Sequence, residues 1–407
     1  MSLVFNPTYN PASAYRPVKW LANAGSSNPV EKAVVNIFDS SGIVTTATYN
    51  TSYQIGVFYF FEIDIQKICQ VLLAPKTGKT SVFGELGQPY AQLNEDCFDQ
   101  FRIEVNYLER NPTTGLLEDL GVTDVSTFYN VNIVTRQHTE EQSQDDFKPL
   151  FLDTNKRFLT NAPLIKTMRE GENEFLSFLS DAGAGRIQIQ TFEPDGSPVD
   201  TGTFDVDINS DFKIQTVGVG YENLRNQVWG TGAVDITLPF LGYYEVSLIG
   251  FIDEPYLEVR RYDLVTVCSD LDIRVHWLNL LGGADAYTFT TRNDETITNQ
   301  NEVARKTLGW DESSATPHNP SDYGKFTYNS FGTKQIVIES DFVSESEARY
   351  LTEVKLSNEK YIESNGQLVP FVVSGVETQT KTTSQNVNLI RVSLVIELSN
   401  DIIVQSR

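Results

Sequence analysis

Histidine and cysteine, two residue types that often carry out enzymatic chemistry, are few in this chain and widely spaced. Its 407 residues include three histidines and three cysteines: His138, His276, His318, Cys69, Cys97 and Cys268. They form none of the close pairs that hold zinc, and neither a His-Glu-x-x-His nor a Gly-x-Ser-x-Gly motif is present. We therefore predict no metal site, we find no feature that favours a Ser–His–Asp triad, and we interpret the cysteines as reduced thiols.

Two short patterns resemble ligand-binding loops but lack parts that the chemistry requires. Gly78-Lys79-Thr80 matches the end of a phosphate-binding loop, yet Leu73 stands where that loop needs glycine, so we predict a turn. Acidic or amide side chains also occupy every second position in one run: Asp205, Asp207, Asn209 and Asp211. A calcium loop would need glycine and glutamate where Ser210 and Thr216 stand, so a solvated strand face is favoured over a weak cation site. We predict no cofactor and no enzymatic activity.

The charge balance argues against polyanionic partners. The chain has 54 acidic and 31 basic residues, which gives a net charge of −23 at pH 7. Such a surface repels nucleic-acid backbones and anionic lipid headgroups. The apolar clusters are shorter than the roughly 20 residues of a membrane helix, and the first residues lack the pattern of a secretory signal. We predict no nucleic-acid partner, no membrane insertion and synthesis in the cytoplasm.

Alternation of apolar and polar residues with a period of two is the dominant pattern, and it predicts half-buried antiparallel strands. It is clearest in residues 187–191, 204–208, 271–277 and 392–398. Turn sequences separate such runs, among them residues 111–115, Glu193-Pro194-Asp195-Gly196 and the hairpin signal Ser364-Asn365-Gly366. The chain is therefore predicted to be mainly β, with linked antiparallel β-sandwich-like domains and one or two short helices.

Helical signals are few. Ser344-Glu345-Ser346-Glu347 is a capping box, and apolar residues follow it at helical spacing, which predicts a short helix near residues 344–356. Residues 172–179 are compatible with a second helix or with a strand.

Polar stretches suggest how the chain is divided. Residues 136–146 contain no apolar residue and are predicted to be a linker, and a weaker boundary falls between residues 251 and 270. We predict domains at residues 1–136, 147–262 and 263–407. Residues 292–305 and 311–324 are also polar, and we predict that they form an insertion loop that contacts another molecule.

Three stretches together resemble a known group of proteins. They are residues 147–179, which begin Phe147-Lys148-Pro149, residues 273–289, which include Trp277-Leu278-Asn279, and residues 340–371. Their order resembles large structural proteins of tailed phages that infect Bacteroidota, which are usually encoded among tail and baseplate genes. The resemblance covers about residues 147–407 and is loose before them; Leu280 and Ala284 depart from it. It implies a non-enzymatic tail or baseplate protein of the virion, assembled in the host cytoplasm, that forms a homo-oligomer and contacts other virion proteins.

The second of these stretches supplies most of the interface candidates. Trp277 ends an alternating strand, Gly282 and Gly283 permit a tight reversal, and Tyr287 and Phe289 open the next strand. Pro370 marks a strand start or a sheet edge, where subunits can add strands to one another. The alternative for the hairpin is a purely structural turn with aromatic core residues.

Two other functions remain open at this point. A host-surface glycan-binding module would use exposed tyrosines for stacking, with Tyr243, Tyr244, Tyr256 and Tyr262 as candidates. A capsid-decorating protein would have the same general sequence features as a tail protein. A glycan-depolymerising enzyme would need a pair of carboxylates, and no pair is singled out by its spacing.

Overall fold

The chain consists mainly of β-strands, as the sequence predicts. The computed structural model describes residues 12–13, 19–23, 30–38, 42, 44–50, 53–55, 58–64, 68, 86, 91–94, 98–131, 157–179, 184–206, 214–250, 255–266, 272–306, 324–374, 390–398 and 402–403. Two compact units are present, one formed by Met1–Val267 with Leu278–Asp285 and the other by Cys268–Trp277 with Ala286–Arg407. The predicted linker at residues 136–146 and the Gly78-Lys79-Thr80 turn lie outside the described residues.

The first unit contains seventeen described strands and one short helix. The strands are β1 (Ala12–Ser13), β2 (Lys19–Asn23), β3 (Val30–Phe38), β4 (Val44–Tyr49), β5 (Tyr53–Ile55), β6 (Phe58–Asp64), β7 (Ala91–Asn94), β8 (Phe98–Arg110), β9 (Leu117–Val131), β10 (Ile165–Arg169), β11 (Phe175–Leu179), β12 (Ala184–Phe192), β13 (Pro198–Asp205), β14 (Ile214–Gly218), β15 (Thr231–Gly232), β16 (Tyr243–Gly250) and β17 (Pro255–Val265). Helix α1 (Tyr221–Arg225) follows β14.

The second unit contains the longer helix and the remaining strands, except for one end of β18 and of β19. They are β18 (Ile273–Leu278), β19 (Ala284–Phe289), β20 (Arg292–Lys306), β21 (Gly324–Val343), helix α2 (Glu345–Leu356), β22 (Lys360–Ser364), β23 (Gln367–Ser374), β24 (Ile390–Leu398) and β25 (Ile402–Ile403). The tip of the β18–β19 hairpin, residues 278–285, belongs to the first unit. Neither α1 nor α2 has the length and apolar composition that a bilayer-crossing helix requires.

The N-terminal part of the first unit is built on a sheet with the order β1-β9-β8-β3-β4, and β2, β6 and β5 form a smaller sheet. Alternate residues of β3 and β8 are fully buried, including Val35, Ile37, Ile103 and Val105. A turn joins β8 to β9, and in it Gly115 has a φ of +70°, which glycine adopts without strain. The predicted turn at residues 111–115 is therefore confirmed.

Two sheets pack face to face in the later part of the first unit. One has the order β10-β17-β16-β12-β13-β15 and the other the order β11-β14-β7. Side chains from both meet in one hydrophobic core, for example Ile189 and Val246 from the first sheet and Phe178 and Val217 from the second. The sandwich-like packing predicted from the alternation is thus present, and residues 175–179, which were compatible with a helix or a strand, form a strand.

The described pairing also joins parts of the chain that are distant in sequence. β7 lies within residues 1–136, yet it pairs antiparallel with β14, which lies within residues 147–262. The three-domain division at residues 1–136, 147–262 and 263–407 stays a prediction.

The second unit has a sheet with the order β19-β18-β22-β23-β24-β21-β20, with β25 paired to β21. Helix α2 contacts β24 and buries Ala348, Leu351 and Val354, as the helical spacing predicted. The capping box is also confirmed, because Glu347 Oε2 accepts the Ser344 N–H at 2.9 Å and Ser344 Oγ accepts the Glu347 N–H at 3.3 Å. The β22–β23 hairpin turns at Asn365 and Gly366 with φ of 51° and 71°, as a type I′ turn requires.

Candidate functional site

The tip of the β18–β19 hairpin is a buried corner of its own chain. Gly282 has a φ of +83°, which allows the reversal that the two glycines predicted. Gly283 is buried, and a Cβ atom there would lie 2.3 Å from the carbonyl oxygen of Leu159. The close approach that requires glycine is therefore made to another segment of the same unit, and Gly283 offers no surface to a neighbouring molecule.

Asn279 organises this tip, and the sequence did not single it out as a functional residue. Its Oδ1 accepts the N–H groups of Leu281 and Gly283, both at 2.9 Å. Its Nδ2 donates to the Leu159 carbonyl oxygen at 2.6 Å and to the Asp285 carboxylate at 2.8 Å. Asn279 thus ties the turn to a segment about 120 residues earlier, a contact that no local signal predicts.

The aromatic candidates of this hairpin are core residues rather than surface residues. Trp277 and Phe289 are fully buried. The Trp277 ring lies 5.1 Å from the ring of Tyr350 on α2, and Phe289 makes an edge contact with the half-buried Tyr287, also at 5.1 Å. Trp277, Gly283 and Phe289 are therefore covered by other parts of their own chain, which favours the structural alternative for this hairpin. The interface assignment of Gly282 and Tyr287 stays a prediction.

Pro370 lies in β23, and at this residue the strand has one described neighbour. β23 stands between β22 and β24. Pro370 is the last residue of β23 opposite β22, where it faces Tyr361, and the next residue, Phe371, begins the pairing with β24. A proline without an N–H group is tolerated where the ladder passes from one partner strand to the other. Its side chain is exposed, and the interface assignment of Pro370 stays a prediction.

Two ionisable residues considered in the sequence, His276 and Asp205, form pairs with charged side chains. His276 is buried in β18, with Nε2 3.0 Å from Oε2 of Glu363, while His138 and His318 lie outside the described residues. Asp205 faces Arg186 directly across the β12–β13 pair at 3.1 Å, and the other three members of its polar run are not described. In the part of the chain that the structure describes, no group of three or more His, Cys, Asp or Glu side chains could hold a metal ion.

One open hollow of about 510 Å³ lies beside α1 in the first unit. Its lining is mixed: Met168, Ile236 and Leu241 are apolar, while Glu170, Tyr221 and Arg225 are polar or charged. Burial, followed by the nearby charge of Glu170, raises the pKa of Tyr221, so this hydroxyl stays protonated at neutral pH. Among the described residues that line the hollow, Glu170 is the one carboxylate.

The tyrosines proposed to stack on a glycan are mostly covered by other side chains. Tyr244 and Tyr262 are at most 1% exposed and stack on each other at 5.1 Å. The Tyr243 ring stacks on Phe192 at 4.7 Å, and the Arg261 guanidinium lies 3.6 Å from its centre. The side chain of Tyr256 is not described. Among the four candidates, Tyr244 and Tyr262 are thus core residues, and Tyr243 is packed between neighbouring side chains.

Several exposed apolar side chains of the second unit lie on a long two-stranded ribbon. Residues 292–305, which the sequence predicted to be a loop, form β20, and β20 pairs with β21 from Arg292 to Lys306. We call these paired strands, residues 292–306 and 324–339, the β20–β21 ribbon. Four large apolar side chains on it are 40–63% exposed: Ile297, Val303, Phe326 and Tyr328.

Polar contacts between the two strands hold the ribbon in register. Lys334 Nζ lies 2.6 Å from Glu295 Oε1, and Asn329 Nδ2 donates to Glu302 Oε2 at 3.0 Å. Ser330 Oγ lies within hydrogen-bond distance of the side-chain oxygens of Asn299 and Asn301. The alternation Phe326-Thr327-Tyr328 was the one sequence signal for a strand here, since β20 itself has only two large apolar residues.

No protein-family model matches the chain, and no curated protein has a matching sequence. A functional assignment therefore depends on the geometry of the described residues, together with the resemblance of residues 147–407.

Proposed function

We propose that this chain is a non-enzymatic structural component of a tailed-phage virion, namely a tail or baseplate protein that contacts neighbouring virion proteins. The observation that carries the proposal is the β20–β21 ribbon with its exposed apolar side chains. The resemblance of residues 147–407 to virion proteins of phages that infect Bacteroidota supports the proposal that the assembly is a phage particle.

The ribbon has the properties of a contact arm. Residues 324–330 of β21 and residues 301–306 of β20 pair only with each other among the described strands. A two-stranded ribbon is marginally stable in water by itself and gains stability when one of its faces is covered. Val303 pairs with Thr327 and Ala304 with Phe326, so Val303 and Phe326 lie on opposite faces of the ribbon. Exposed apolar side chains on both faces favour an arm that docks onto another protein.

The charge of the chain is compatible with this role. A net charge of −23 favours solubility of the chain before it is incorporated into a particle. The polar residues that surround the four apolar side chains limit unspecific association of the ribbon edge. Association would then require a partner that matches both the apolar positions and the charges.

The proposal is tested with purified particles of the phage that encodes the chain. We expect mass spectrometry to find the chain at a fixed copy number per particle. A tagged Val303→Asp/Phe326→Asp variant should be lost from particles, since both substitutions place charge on the ribbon. Leu116→Asp is the matched control, because Leu116 is an exposed leucine on the turn between β8 and β9, 68% exposed, and this variant should be incorporated.

Absence of the chain from purified particles would contradict the virion assignment. Equal incorporation of the ribbon variant and the Leu116→Asp variant would contradict the role of the ribbon. Circular dichroism of both purified variants, compared with the unchanged protein, shows whether each one is folded before its incorporation is scored.

A further inference from the structure

Strand β20 presents a long open edge. It stands at the end of its sheet, and β21 is its only partner among the strands that the structure describes. The one register shift in this pair leaves Tyr328 of β21 as an extra residue opposite Glu302 and Val303, so the irregularity belongs to β21. β20 therefore keeps a regular alternation of side chains. Its outer N–H and C=O groups can pair with another strand.

The charges of β20 are complementary to those of the same strand in reverse. Asp294 and Glu295 lie near its start, and Arg305 and Lys306 lie at its end. When two copies run antiparallel with Gln300 opposite Gln300, Asp294 opposes Lys306 and Glu295 opposes Arg305 of the other copy. The third acidic residue of the strand, Glu302, opposes the uncharged Thr298. Opposite charges that face each other across an antiparallel pair stabilise it, and like charges destabilise it. A parallel arrangement in the same register would oppose like charges.

The same register also matches the apolar residues. Ile297, 63% exposed, then opposes Val303, 51% exposed, and symmetry produces this pair twice. Directly opposed side chains lie on one face of a sheet with their Cβ atoms about 4.5–5.5 Å apart, so each covers the other. Sliding one strand by two residues would instead oppose Ile297 to Asn301 or to Arg305. Charge and apolar contact therefore select one register.

We propose that β20 pairs antiparallel with β20 of a second copy of this chain, with Gln300 on the two-fold axis, so that the two ribbons form one continuous sheet. The contact is isologous, as most homodimer interfaces are. The inference rests on the proposed function only in taking the ribbon as a contact surface. It adds the partner, the direction of the strands and the register.

Cysteine cross-linking tests the register. In the proposed dimer, residue 299 of one copy opposes residue 301 of the other, whereas two residues 299 lie diagonally, about 7–8 Å apart. A disulfide needs Cβ atoms about 3.5–4.5 Å apart. Asn299→Cys and Asn301→Cys proteins are mixed under reducing conditions and then oxidised. We expect the mixture to form a linked product of twice 45.7 kDa at least about ten times faster than either variant alone.

The unchanged protein is the background control, because it retains Cys69, Cys97 and Cys268. Linking of the mixture no faster than of the single variants would overturn the register. Gln300→Cys supplies a second measurement, since the residue opposes itself and this variant should link to itself without a partner variant. Failure of both to link above the background would overturn the pairing.

Charge reversal tests the same contact without a covalent bond. Arg305→Glu opposes glutamate to Glu295 of the other copy, so light scattering should show the mass falling from dimer to monomer. Adding Glu295→Arg to this variant restores opposite charges across the axis and should restore the dimer. Arg349→Glu, an exposed position on α2, is the matched control and should leave the dimer intact.

A monomeric unchanged protein, or a double variant that stays monomeric while folded, would overturn the inference. These outcomes are separate from the particle experiment. A chain that dimerises in the expected register but is absent from particles would contradict the proposed function alone. A chain found in particles that fails to cross-link would contradict the inference alone.

Discussion

Replacing Asn279 with alanine tests whether one side chain holds the tip of the β18–β19 hairpin. Asn279 is 5% exposed. Its amide accepts two N–H groups, from Leu281 and Gly283, and donates to the Leu159 carbonyl and the Asp285 carboxylate at 2.6 and 2.8 Å. Alanine removes all four hydrogen bonds at once and leaves their partners in a closed environment.

The size of the effect follows from these four partners. Each buried polar group left unsatisfied costs about 1–3 kcal/mol. Water that enters the space vacated by the amide recovers part of this cost. We expect Asn279→Ala to lower the free energy of unfolding of the first unit by about 3–5 kcal/mol, a large share of the roughly 5–15 kcal/mol that holds a domain folded.

Asn111→Ala is a control with the same chemistry at an exposed turn. Asn111 Oδ1 accepts the N–H groups of Thr113 and Thr114 at 2.8 and 3.1 Å, and its Nδ2 donates to Glu118. These three neighbours are exposed, so water replaces the lost bonds. We expect a cost of about 1 kcal/mol or less.

Urea unfolding, combined with hydrogen exchange of single amides, measures both variants. With an m-value of about 2 kcal/mol/M, a loss of about 3 kcal/mol lowers the midpoint by about 1.5 M. Exchange of the Leu281 and Gly283 amides should accelerate in Asn279→Ala, which reports the tip itself in a chain of two units. A midpoint shift no larger than that of Asn111→Ala, or unchanged protection of these two amides, would refute the reasoning.

Three further predictions concern packing, ion pairs and pH. Gly283→Ala places a methyl group 2.3 Å from the Leu159 carbonyl oxygen and should cost about 1–3 kcal/mol; an unchanged urea midpoint would show that the backbone relaxes freely there. Glu174→Gln breaks a buried ion pair with Lys166 and should lower the free energy of unfolding by about 3–5 kcal/mol. Asp205→Asn breaks an exposed pair with Arg186 and should lower it by less than about 1 kcal/mol. Equal effects of the two variants would contradict the dependence on burial. Burial raises the pKa of Glu359, so ionisation of this carboxyl group opposes folding as the pH rises through the folded-state pKa. Glu359→Gln should therefore raise the Tm at neutral pH and lose this advantage below pH 4.5. A gain in Tm that persists in acid would argue against desolvation as the cause.

Local signals in the sequence predicted the elements that depend on local contacts. The capping box at Ser344 and Glu347 predicted α2 because both hydrogen bonds of the box join residues three apart. Asn365 and Gly366 predicted the β22–β23 hairpin because few other residues adopt positive φ at low cost. Neither prediction needed knowledge of the rest of the fold.

Contacts between distant segments could not be predicted in the same way. The role of Asn279 depends on Leu159, and the need for glycine at position 283 depends on the same carbonyl group. Trp277 and Phe289 were expected near an interface because large aromatic residues are common both in interfaces and in cores. Only the packing of α2 and of the sheet decides that these two rings are internal.

The ribbon explains why one long strand was predicted to be a loop. Period-two alternation detects a strand when one of its faces is buried in the core of its own chain. β20 is exposed along residues 294–303, so its sequence has no need for such alternation. A strand whose apolar face is completed by a second molecule therefore carries few apolar residues and resembles a polar loop. The polarity that hides β20 from sequence analysis also favours solubility of its edge. In the dimer that we propose, the charges of Asp294, Glu295, Arg305 and Lys306, placed about Gln300, favour a partner that carries the same strand in reverse.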